Sequence, residues 1–148
     1  MIDLFKRLTA RAPDAPVAEN DARAAIAAIL VEAAHADGDY DAAERDRITR
    51  ILAQRFGLDP SGADTLRREG EAAHAEAVDL VRFTRAVKDA VPHIDRVGVL
   101  EAVWEVIYAD GERDHHENAL VRKLCGLLHV ADQDAGMARQ RVAARMGL

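Results

Sequence analysis

Two short stretches of the chain concentrate carboxylates. Asp37, Asp39, Asp41 and Glu44 lie within ADGDYDAAE, and Asp110, Glu112, Asp114 and Glu117 lie within ADGERDHHE. Oxygen-rich clusters of this kind suit hard divalent cations, calcium ahead of magnesium or zinc. Calcium takes roughly six to eight oxygens, so one stretch plus backbone carbonyls and water could supply a site. Asp37, Asp39 and Asp41 have the D-x-D-x-D alternation of calcium loops. The match to an EF-hand ends there. That loop has glycine sixth and glutamate twelfth, whereas Gly38 is second and Glu44 eighth here. Any such site is expected to be weak.

Helix capping accounts for part of the same pattern. Asp41-Ala-Ala-Glu44 and Asp114-His-His-Glu117 both fit a capping box, in which the Asp accepts from the third helical N–H and the Glu reaches back. Gly38 and Gly111 suit the left-handed residue that ends a helix. Capping leaves Asp37, Asp39, Asp110 and Glu112 unexplained. A carboxylate at a helix C-terminus, as expected at Asp37 and Asp110, is electrostatically unfavourable unless a cation or an arginine answers it. A second use of the same eight acids is a docking surface for a basic protein partner.

Other chemistry-bearing residues carry less. Glu32 with His35, and Glu71 with His74, form two ExxH pairs of the type that di-iron bundles use. Both pairs fall off the apolar faces of their helices and are read as surface residues. His115 and His116 are read as solvated first-turn residues. Cys125 shares a face with Leu124 and Leu128 and is read as a small core hydrophobe. Trp104 and Tyr108 share one helical face and are assigned to the core. No Ser/His/Asp arrangement or glycine-rich phosphate loop is recognisable, so no enzymatic activity is expected.

Helices must position the two acidic stretches. Aromatics are only 4% of the chain, alanine is abundant, and apolar residues recur at three- and four-residue steps without a period-2 run. The pattern predicts helices over about 19–36, 41–56, 60–74, 77–90, 94–109, 114–129 and 132–146. In the first the apolar stripe is Ile26, Ile29, Leu30 and Ala33. Ahead of them, Ile2, Phe5 and Leu8 mark a short amphipathic segment. The RAPDAP linker separates it from the body, on which it is expected to dock. The expected organisation is this segment and linker over 1–18, followed by one helical domain over 19–148.

The two acidic stretches are also copies of one another. AHADGDYDAAERDRITRIL matches IYADGERDHHENALVRKLC at a constant offset of 73 residues. Asp37 aligns with Asp110, Gly38 with Gly111, Asp41 with Asp114 and Glu44 with Glu117. Ile48 aligns with Val121 and Ile51 with Leu124. Upstream, Glu32 aligns with Glu105. Each half, about 19–75 and 77–146, reads as a helix, an acidic turn and a second helix. The expected fold is therefore an all-α, pseudo-two-fold bundle of about seven or eight helices.

The doubled A-D-G pattern between helices, together with AEAVDLVRFTRAVKD and LCGLLHVADQD, resembles the tellurite-resistance TerB family over roughly residues 19–142. The resemblance implies an all-helical bundle with metal-chelating acids at these turns. It also implies an association with tellurite and other chemical stress, and no known enzymatic activity.

Composition narrows the partners. The 26 acidic and 20 basic residues give a net charge of −6, which disfavours general binding to nucleic acid or anionic membrane. A single cysteine rules out an intramolecular disulfide framework and suits a reducing compartment. The longest apolar run, Ala24 to Val31, is far below the roughly 18–20 residues of a membrane span. A cytoplasmic protein is expected, with no transmembrane segment and only a minor case for peripheral membrane association.

Overall fold

The computed structural model describes residues 17–36, 40–109 and 115–148, and the side chains of 22–36, 40–109 and 119–148. Among these residues the chain forms seven α-helices and no strand: α1 Val17–His35, α2 Ala42–Phe56, α3 Pro60–Glu76, α4 Leu80–Ala90, α5 Val97–Tyr108, α6 His115–Leu128 and α7 Asp132–Arg145. A single 3-10 turn, His93–Asp95, precedes α5. None of these helices is long and apolar enough to cross a membrane. The amphipathic segment expected over residues 2–8 lies outside the described residues.

Helix ends follow local chemistry. Asp41, Asp59 and Asp79 each adopt the N-cap position of α2, α3 and α4. Their carboxylates accept from the N–H of Glu44 at 2.9 Å, Gly62 at 2.7 Å and Arg82 at 3.0 Å. Pro60 occupies the first turn of α3, where its missing N–H costs nothing. Gly57 ends α2 at φ 65°, and Leu58 N–H donates back to Ala53 O at 2.9 Å.

Helix α1 is the axis of the bundle. It packs against α2, α3, α4 and α5, while α5 packs in turn against α6 and α7, and α4 against α6. Sequence periodicity implied one buried stripe on α1. Instead Ala22 and every residue from Ala25 to Val31 are buried, as are Ala33 and Ala34. The alanines make this possible, because their small side chains let several helices approach one backbone. A helix that is apolar all round belongs in a core rather than on its edge.

The closest approach is between α1 and α3. Gly70 of α3 lies directly on the α1 backbone, and a Cβ there would stand 2.6 Å from Ala27 Cβ and 2.7 Å from the Ala27 carbonyl carbon. The thin apolar face of α3 (Ala63, Leu66 and Gly70) is therefore sufficient. It works by proximity rather than by bulk.

Candidate functional site

The first acidic turn joins α1 to α2, and the second joins α5 to α6. Asp41 is exposed, and its Oδ1 caps α2, as the capping reading requires. Glu44 follows in the first turn, half-buried. Asp37, Asp39, Asp110, Glu112 and Asp114 lie outside the described residues, as does the side chain of Glu117. Among the described residues, no three His, Cys, Asp or Glu side chains are grouped to hold a metal ion. Asp41→Ala should cost about 0.5–2 kcal/mol in denaturant melts run in chelator, the loss of the cap alone.

The end of α1 leads into a polar cluster that sequence reasoning missed. The two ExxH pairs were assigned separately to the surface, but close packing of α3 on α1 brings them together. His74 Nε2 lies 3.0 Å from Glu32 Oε1. The His35 and His74 rings stack at 4.7 Å, 8° from parallel, and the Tyr40 ring lies 4.6 Å from His35, tilted by 30°. Tyr40 Oη donates to Glu71 Oε2 at 2.5 Å. Arg67 lies 3.6 Å from Glu71 and 2.9 Å from Asp64. His35 is exposed, whereas Glu32, Glu71 and His74 are half-buried. In-plane lone pairs of parallel stacked rings do not converge on one point, so this arrangement clamps α1 to α3 rather than chelating. The available signal was the ExxH spacing in both helices. The missing information was that Gly70 lets them meet.

Burial, reinforced by the hydrogen bond and charge of Glu71, pushes the Tyr40 phenol well above the ordinary tyrosine range, against a smaller opposite pull from Arg67 and Arg45. The unfolded chain loses this proton near pH 10, while the folded chain keeps it. The stability this contributes is complete below about pH 10 and declines as pH rises towards the folded value. Tyr40→Phe should flatten that alkaline decline, read from denaturation midpoints across pH.

The second half places a different group at the corresponding glutamate. Glu105 of α5 receives Arg55 from α2 and, at 3.3 Å, Arg145 from α7. Glu101, one turn earlier, lies 3.2 Å from Arg145. Thus Glu32 meets an imidazole from α3, and Glu105 meets guanidiniums from α2 and α7.

Cys125 and Trp104 serve the core. Cys125 is buried, and burial followed by the Asp132 charge pushes its thiol above the ordinary range, the opposite of an activated nucleophile. Trp104 is buried and stacks on Tyr108 at 5.2 Å. The described backbone of α6 begins at His115, and the side chains of His115 and His116 lie outside the described residues.

No curated protein and no solved structure matches the chain. A family model described as tellurite resistance protein TerB matches residues 23–140, which span α1 to most of α7 and include both acidic turns. The match covers most of an all-helical chain, and the chain belongs to the TerB family.

Proposed function

We propose that this chain is a non-catalytic, cytoplasmic divalent-cation binder that uses its two acidic turns and takes part in the response to tellurite or related chemical stress. The ligands would be Asp37, Asp39, Asp41 and Glu44 in one turn and Asp110, Glu112, Asp114 and Glu117 in the other, with calcium the favoured ion. One observation carries the reading. Helices α1 and α5 end at His35 and Tyr108, so an aspartate follows each helix end by two residues. A carboxylate near the negative end of a helix dipole is unfavourable unless a positive charge neutralises it. Capping at Asp41 explains one acid of the first turn and leaves that requirement standing. The sequence match between the halves supports two equivalent sites related by duplication.

Thermal melts in chelator and in excess calcium, magnesium, manganese or zinc test this. A ligand at 100 times its dissociation constant adds about 2.7 kcal/mol to the native state. For a chain of this length the midpoint should rise by roughly 5–10 °C. The rise should disappear in the Asp37→Asn/Asp110→Asn variant. Equal melting under all conditions would overturn the proposal and favour the acids as a docking surface for a basic partner.

A further inference from the structure

A cavity of about 650 Å³ opens between α2, the end of α5 and the end of α7. Its volume falls within the range of small-molecule sites. Among the described residues, Arg47, Arg50, Arg55 and Arg145 line it, together with Gln54 and a single acid, Glu105. Four guanidiniums against one carboxylate is a concentration of positive charge on a chain whose net charge is −6. Three of the arginines lie along one helix, α2, and the fold adds the fourth from α7 and the carboxylate from α5.

The charges are not equally answered. Arg55 and Arg145 both approach Glu105 Oε1, and Arg145 also reaches Glu101. These contacts fix two guanidiniums on one side of the cavity. Arg47 and Arg50 line it from α2, on the face that also carries Gln54. Among the described residues no carboxylate forms an ion pair with either. Guanidinium groups present rigid paired donors that match the two oxygens of a phosphate or carboxylate. Several arginines lining a cavity of this size suit an anion with more than one such group.

We infer that this cavity binds small polyanions, molecules carrying two or more phosphate or carboxylate groups. It differs in chemistry from the cation sites proposed above, because it uses guanidiniums rather than carboxylates and needs no metal. Arg47 and Arg50 supply charge that no described carboxylate pairs with, Gln54 a neutral donor, and Arg55 and Arg145 guanidiniums already held by Glu105.

The test is calorimetric titration of the full chain at low salt, in chelator, with pyrophosphate, tripolyphosphate and citrate as probes and acetate as a single-charge control. Saturable binding of at least one polyanion is expected, at least tenfold tighter than acetate. In Arg47→Gln/Arg50→Gln that affinity should fall by about tenfold or more, since each lost guanidinium removes a charge-assisted hydrogen bond. Arg82→Gln/Arg85→Gln, which removes two exposed charges of α4 outside the cavity, should leave it unchanged. Binding of the phosphates alone would support a phosphate-bearing ligand, and binding of citrate as well would support paired oxyanions generally. The inference is overturned if no probe saturates, or if both double variants weaken binding equally, which would mark diffuse charge attraction. Because the chelator removes free divalent cations, failure here leaves the cation proposal intact.

Discussion

Gly70→Ala should lower the melting midpoint by about 2–8 °C, although alanine is the better helix former. The added Cβ would stand 2.6 Å from Ala27 Cβ, 2.7 Å from the Ala27 carbonyl carbon and 2.9 Å from the Ala28 nitrogen. Ordinary carbon contacts lie near 3.5–4.0 Å, and two of these three atoms are backbone. The collision therefore cannot be relieved by rotating a side chain, so α3 must move away from α1. Overpacking of this type costs about 1–3 kcal/mol and occasionally more, against a gain of about 1 kcal/mol from helix propensity. Gly70→Leu should be worse, and should also separate His74 from Glu32 and His35. The internal control is Gly126→Ala in α6, where a Cβ would meet nothing within 4 Å. That change should raise stability by about 0.5–1 kcal/mol. Opposite signs in paired melts check the close approach of α1 and α3, and a neutral or stabilising Gly70→Ala would refute it.

Phe56→Ala should remove about 3–5 kcal/mol, a large fraction of the 5–15 kcal/mol typical of a domain. Phe56 ends α2, is fully buried, and carries the Arg23 guanidinium 5.5 Å above its ring. Truncation loses the transfer energy of the ring and leaves a cavity that surrounding helices fill only in part. Phe56→Leu should cost less, because most of the volume is kept. Val81→Ala on α4, where the side chain is 48% exposed, should be nearly silent. Urea denaturation at constant m-value separates these three cases.

Helix number and most helix boundaries were legible because the local signals are strong. Asp41, Asp59 and Asp79 cap where a short polar acceptor is needed, Pro60 enters a first turn, and Gly57 closes α2. Three starts were displaced, α1 opening at Val17 rather than at 19. α4 begins at Leu80 because Asp79 takes the cap, and α5 begins at Val97 because His93–Asp95 form a 3-10 turn after Pro92. Ile94, taken as the start of the α5 helix, is 75% exposed on that turn.

Tertiary placement was less legible. Periodicity marks the most apolar face of α1 but does not reveal that four helices surround it. The same limit hid the meeting of Glu32, His35, Glu71 and His74, which depends on a glycine contact between helices. Arg55 offered a partial signal, since it continues the Ile48–Ile51–Leu52 stripe of α2 and so pointed inward. Its companion Arg145 was invisible because it lies on another helix far along the chain. The acidic turns were the clearest feature in the sequence, and the fold places both between consecutive helices of the bundle.

A two-dimensional amide NMR titration with calcium, started in chelator, tests the central claim most directly. Saturable shifts concentrated in residues 36–46 and 109–119, absent in Asp37→Asn/Asp110→Asn, are the expected result. Unchanged spectra through millimolar calcium, or shifts that persist in the double variant, would contradict cation binding by the acidic turns.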